Sequence, residues 1–68
     1  MDISEVRQLE NDELGETLDD RQHSLMNLRF RAATLQLTDF SEIRKTRHDI
    51  ARIKTVIKER EIARRLEA

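Results

Sequence analysis

The sequence predicts an all-α protein: an antiparallel two-helix hairpin with a short N-terminal helical turn. Three observations carry this. The 68 residues include one Gly, no Pro and two aromatic residues, both Phe, which leaves a turn-rich β fold without its turns. Two long stretches repeat apolar residues every three or four positions, the spacing of one helix face. One cluster of cap and turn residues, Thr38-Asp39-Phe40-Ser41, separates them.

Ile3, Val6 and Leu9 fall three apart, enough for a short helical turn that folds back onto the second long helix. The first long helix is predicted over about 11–36. Its stripe is Leu14, Leu18, Leu25, Leu28, Ala32 and Leu35, with Arg21 taking one position of the seam. Asn11 is the expected cap, and Asp12 and Glu13 suit the positive end of the helix dipole. Gly15 costs about 1 kcal/mol relative to Ala in a helix interior, so the first turn is the weak one. The loop is predicted over about 37–41. The second helix is predicted over about 42–65, capped by Asp39 or Ser41, with Ile43, Thr46, Ile50, Ile53 and Ile57 inward. Lys58, Arg60, Arg64 and Arg65 crowd its far end and complement the negative end of the dipole. Each helix is then about 36 Å long at 1.5 Å per residue. A short loop between two such helices makes them antiparallel neighbours.

Residues 1–68 make one small domain with a thin core. Leu, Ile, Val and Phe supply 18 of 68 residues, more than a disordered chain carries. Yet domains of this size rarely draw more than about 3–5 kcal/mol from a single core. A partner surface is therefore expected: another copy, another protein or a nucleic acid. The absence of Cys excludes disulfides, thiol chemistry and Cys-based zinc sites. No stretch approaches the roughly 18 apolar residues of a membrane span, and no basic start precedes an apolar run. The expectation is a soluble cytoplasmic protein with no membrane partner. Catalytic patterns are equally thin. His23 lies near Asp19 and Asp20 with no third ligand in register. Ser24 and His23 are adjacent on a helix and do not face each other, and His48 and Asp49 diverge in the same way. Two helices also lack walls for a pocket of a few hundred Å³. No enzyme, cofactor, metal or small-molecule substrate is expected.

The net charge of −1 conceals a partition. Residues 1–28 carry eight acids and two bases, whereas residues 29–68 carry eleven bases and six acids. With the isoleucines inward, Arg44, Arg47, Ala51, Lys54 and Lys58 form one row beside the seam, and Lys45 and Arg52 form a second. Thr55 lies between them. Arg29 and Arg31 close the first helix, with Thr34 and Gln36 as neutral hydrogen-bonding groups. A hairpin places these opposite the start of the second helix, which would concentrate charge at the loop end. Lys and Arg so arranged bind phosphates and release counterions, and Arg also stacks on exposed RNA bases. With only two rings, a track for single strands is not expected, so structured RNA or a duplex backbone is the better fit. The plainer alternative is a solvated face, with Glu59 and Glu61 offering partners to Lys54 and Lys58. A second alternative is an interaction module that homodimerises through its apolar stripes. Salt separates the two kinds of binding: phosphate contacts weaken steeply with salt, and an apolar dimer does not.

The segments Asn27-Leu28-Arg29-Phe30-Arg31-Ala32-Ala33-Thr34-Leu35-Gln36-Leu37 and Arg47-His48-Asp49-Ile50-Ala51-Arg52-Ile53-Lys54-Thr55-Val56 resemble the bacterial-type large-subunit ribosomal protein of family twenty-nine. That family runs close to N-L-R-F-Q-x-A-T-G-Q-L, a short loop, then R-x-x-R-R-D-I-A-R-I-K-T. The resemblance covers residues 3–62. It implies a structural constituent of the large ribosomal subunit that packs on rRNA near the peptide exit tunnel. It also implies contact with the neighbouring ribosomal protein of family twenty-three, where nascent-chain factors dock. Carried over residue by residue, the RNA-contacting positions are Arg29, Gln36, Arg44, Arg47, Arg52, Lys54 and Thr55. The basic rows add Arg31, Lys45 and Lys58. The sequence departs from the family pattern at four positions. Leu35 stands where Gly is usual, so the first helix is expected to end differently. Phe40 stands where Pro is common, so the loop is less pre-organised. Glu42 and His48 replace frequent bases.

Overall fold

A computed structural model describes residues 1–36 and 39–67. Residues 37–38, inside the predicted loop, and residue 68 lie outside the described residues. The described residues form three helices and no strand: α1 (Ile3–Arg7), α2 (Asn11–Ala33) and α3 (Ser41–Glu67). α2 and α3 make the antiparallel hairpin, and α1 packs back onto α3, as the spacing of Ile3, Val6 and Leu9 predicts.

The start of α2 corrects the predicted cap. Asn11 is the first helical residue, and Glu10 stands at the cap. The Glu10 backbone N–H donates to Glu13 Oε1 at 3.2 Å, so the carboxylate three residues on satisfies a donor that the helix leaves open. Asn11 Oδ1 instead accepts from Arg60 Nη1 at 2.8 Å. The end of α2 is a second correction: the helix stops at Ala33 rather than near Gln36. Leu35 takes a left-handed conformation with φ of 61°. Its N–H donates to the Ala32 carbonyl at 3.2 Å, and the Gln36 N–H reaches the Arg31 carbonyl at 2.9 Å. These are the two reversed bonds of a Schellman ending, a position that Gly fills without strain. Leu35 therefore leaves the predicted stripe and is 89% exposed.

The Asp39 carboxylate accepts the Ser41 N–H at 2.9 Å, so it satisfies an open donor at the start of α3. That bond holds its pKa below the ordinary carboxylate value. α3 then runs to Glu67, slightly past the predicted end. The rest of the predicted seam pairs. Leu14, Leu28, Ile50 and Ile53 are buried, and Leu18, Leu25, Ala32, Ile43, Thr46 and Ile57 are half-buried.

The tightest core is not central to the hairpin. Val6, Leu14, Ile53 and Val56 are fully enclosed, with Ile3, Leu9, Leu18 and Ile57 packed around them. Val56 is absent from the predicted stripe because it answers to a different partner. At about 100° per residue it sits well to one side of the Ile50–Ile57 line, and there it meets α1. Arg60 locks this junction. Its guanidinium donates to the Arg7 carbonyl at 3.0 Å, to the Leu9 carbonyl at 2.6 Å and to Asn11. Arg7 in turn pairs with Glu59 at 3.1 Å, and the same contact raises the pKa of the Arg7 guanidinium.

Arg21 takes its seam position without leaving a bare charge. Its Nε lies 3.5 Å from Asp49 Oδ2, and its Nη1 lies 3.1 Å from Asp20. Asp49 also receives the Met1 amino group at 3.2 Å. With its side chain 17% exposed, Asp49 joins the N-terminal residue and α2 to α3 through charge rather than through aliphatic packing. The apolar stripes that a homodimer would need are thus turned against each other within one chain. No helix among the described residues is long and apolar enough to cross a membrane.

Candidate nucleic-acid interface

The α3 seam fixes the direction of the basic residues. Because Ile50 and Ile53 are buried, the residues that follow each of them, Ala51 and Lys54, lie about 100° further round the helix and turn outward. Arg44, Arg47, Ala51, Lys54 and Lys58 are all exposed along one flank, on the side away from Val56 and α1. Asp49 is the single acid between Glu42 and Glu59. Because it points inward to Arg21 and the Met1 amino group, it does not interrupt the row.

Arg29 reaches this flank from α2. Together with Lys54 it lines a groove of about 320 Å³ whose remaining walls are Gln22, Leu25, Met26 and Ile50; contrary to the expectation from sequence, two helices suffice for a concavity of this size, because it is an open groove between them. The groove has an apolar floor and two cations above it. The pairing lies opposite the middle of α3 rather than its start, so positive charge spreads along the helix instead of gathering at the loop. The reason is the antiparallel register, which sets the last turns of α2 against Ile50 and Lys54.

The other sequence-predicted residues divide. Arg31 is exposed, but two positions on from Arg29 it projects from nearly the opposite side of α2. Gln36 is exposed beyond the helix, and its backbone closes the Schellman ending. Lys45 is exposed and Arg52 half-buried, both on the flank of α3 that carries Val56, across the helix from the basic row. Arg52 lies near enough to Asp2 to help hold that carboxyl below its ordinary pKa, after the larger effect of the Ser4 hydroxyl. Thr55 spends its hydroxyl proton on the Ala51 carbonyl at 2.8 Å, so toward a ligand it can only accept. Lys58 lies 3.5 Å from Glu61 and is partly neutralised. The converging pair is therefore Arg29 and Lys54, with Arg47 and Arg44 further up the same row of α3.

The first half of α2 is a separate acidic surface. Asp12, Glu13, Glu16, Asp19 and Asp20 of α2 are all exposed. Asp19 lies 3.7 Å from His23 within the same helix, a surface pairing between groups that are both largely solvated.

Two features are not legible from apolar spacing. The helix dipole accounts for Arg60 by its place in the chain, but its acceptors are mostly backbone carbonyls, which leave no trace in side-chain spacing. Met26 and Phe30 lie exposed at i and i+4 on α2, outside the Leu seam.

Comparison with known proteins gives a consistent set of similarities. The family model described as Ribosomal L29 protein matches residues 4–60. The large ribosomal subunit protein uL29 of Thermosipho africanus is 53% identical over 62 residues, covering 91% of this chain and 94% of that protein. The protein of the same name from Fervidobacterium nodosum is 50% identical over 58 residues, covering 85% and 88%. That from Geobacillus sp. is 46% identical over 63 residues, covering 93% of each.

Proposed function

The chain belongs to the ribosomal L29 protein family, and from that premise we propose that it binds rRNA through the Arg29–Lys54 groove and the exposed row of α3. Membership makes it a structural constituent of the large ribosomal subunit and not an enzyme. Its neighbours are accordingly rRNA and other ribosomal proteins.

One observation carries the RNA-binding reading. Arg29, Arg47 and Lys54 stand exposed on one flank, while the acid in their midst, Asp49, is drawn inward by ion pairs. Such a surface offers phosphates several cations without a repelling charge, and each contact releases counterions from the RNA. The groove suits the wide minor groove or a backbone turn of structured RNA, which is recognised by shape and phosphate contacts. Of the remaining predicted contacts, Arg44 and Lys58 extend this row along α3, while Arg31, Gln36, Lys45, Arg52 and Thr55 lie off the flank and are proposed as separate contacts.

The acidic face of α2 supports the complementary half of the proposal. Phosphate repels it, so it turns toward solvent or a basic protein. The family resemblance in residues 27–37 and 47–56 extends the proposal to a position near the peptide exit tunnel. The protein neighbour is then the family twenty-three ribosomal protein, with nascent-chain factors docking nearby. Crosslinks from Glu16 or Asp20 to protein support this orientation, and crosslinks from them to rRNA backbone refute it.

The test of RNA binding is the Arg29→Ala, Arg47→Ala, Lys54→Ala triple variant. Its thermal melt should match the parent within about 0.5 kcal/mol, since the changes lie on the surface. Its retention on large subunits through a moderate-salt wash should fall. Normal retention at high salt would assign this flank to ordinary solvated surface.

A further inference from the structure

Both aromatic rings of the chain lie outside the core. Phe30 is 66% exposed and Phe40 56%, although aromatic side chains bring the largest burial gain to a core and this core is thin. Phe30 stands one helical turn beyond Met26, which is itself 69% exposed. Residues at i and i+4 are neighbours on a helix surface, and a helical side chain leans toward the N-terminal turn. Phe30 and Met26 are therefore neighbours on the α2 surface. Met26 is a wall of the groove that holds Arg29 and Lys54, and so forms its apolar lip. Phe30 stands one turn beyond that lip, on the solvent side of α2 and outside the groove's own lining.

We propose that Phe30 stacks on an unpaired base of the large-subunit rRNA, with Met26 beneath its edge and the adjoining phosphates held by Arg29 and Lys54. The inference rests on the rRNA-binding reading above and names what the groove's apolar lip is for. A base fits because it presents a flat apolar face attached to an anionic backbone, and Phe30 presents a flat ring one turn from Met26 and between two arginines of α2. Arg29 and Arg31 flank Phe30 in the chain, so a phosphate on either side of the base meets positive charge. A single ring suits one bulged or loop nucleotide of a folded RNA rather than an extended strand. An apolar protein pocket is the competing occupant. It would accept Leu as readily as Phe and would gain nothing from the flanking arginines.

The chain contains neither Trp nor Tyr, so Phe30→Trp introduces a sole indole reporter at the ring's own position. The experiment adds protein-free large-subunit rRNA to this variant, with cosedimentation confirming binding, and follows indole fluorescence. Phe30→Leu is measured alongside for rRNA affinity. Stacking predicts quenching of the indole on rRNA binding, parental affinity for Phe30→Trp, and roughly tenfold weaker binding for Phe30→Leu, within the range observed for base–aromatic stacking. The salt slope of Phe30→Leu should equal the parent's, because no phosphate contact is lost. Parental affinity of Phe30→Leu, or an unquenched indole in the rRNA-bound variant, overturns the proposal. Quenching that appears with subunits and not with bound rRNA overturns it in favour of a protein occupant. Failure of the underlying reading looks different: the parent protein itself would then show no salt-dependent affinity for rRNA. Because position 30 is exposed, both variants should keep the parental melt.

Discussion

Leu35 is the residue whose chemistry most plainly disagrees with its backbone. At φ of 61° it occupies a conformation that costs an L-residue about 1–2 kcal/mol, and at 89% exposure it recovers almost nothing by packing. Leu35→Gly should therefore raise stability by about 1 kcal/mol, a rise of roughly 4–8 °C in midpoint for a domain of this size. A lower midpoint would mean that Leu35 buries itself in some contact of the folded chain. Gly15 is the reverse case. Its φ is not positive, and an added Cβ meets nothing within 4 Å. Gly15→Ala should thus gain about 1 kcal/mol from helix propensity alone, read in the same melt. The sequence made Gly15 legible and half concealed Leu35. A three-and-four spacing counts Leu35 into the stripe, because periodicity reports side-chain direction only while the backbone stays helical. The family's Gly at this place was the better signal, since it marks a backbone angle rather than a face.

Among the elements, α1 depends most on a few named contacts. It is five residues long, too short to be helical alone in water. Val6 supplies its burial, and Arg60 ties its end through two backbone carbonyls and Asn11. Arg60→Ala should cost about 2 kcal/mol, in the range of hydrogen bonds from a charged donor. Amide exchange should show the loss first in α1. Arg60→Lys should rescue little, because one ammonium cannot span acceptors placed for a planar fork. Protection of α1 that survives Arg60→Ala would place its anchoring in the apolar contacts of Ile3 and Val6 and in the Arg7–Glu59 pair.

The start of α3 gives a pH prediction. Asp39 has its pKa lowered in the folded chain by the Ser41 N–H. A depressed carboxyl contributes stability above its unfolded value, near 3.9, and that contribution fades as pH falls through the folded pKa. Parent and Asp39→Ala should therefore differ in denaturant midpoint at pH 7 and converge as the pH drops below about 4. A difference that stayed constant with pH would remove the carboxylate from the cap. The short α1 and the paired helices were legible because apolar spacing encodes them. The true cap of α2 was not, since Glu10, Asn11, Asp12 and Glu13 are all polar and only the backbone geometry selects among them.

The molecule as a whole is a rod of 50 × 17 × 16 Å, with acids gathered in the first half of α2 and a row of bases along one flank of α3. Ion pairs draw Asp49 inward, away from that row. Which residues are basic and exposed could be read from the isoleucine spacing. Which of them converge could not: Arg29 meets Lys54 only because of the hairpin register, and Arg31, nearly adjacent in sequence, faces the other way. The central claim is that this converging set holds rRNA phosphates. The most direct measurement is the slope of log affinity for large-subunit rRNA against log salt, for the parent and for the Arg29→Ala, Arg47→Ala, Lys54→Ala variant. The account predicts a steep parental slope, reduced by roughly one unit for each phosphate contact removed, with helicity and melt unchanged. Equal slopes for parent and variant would contradict it.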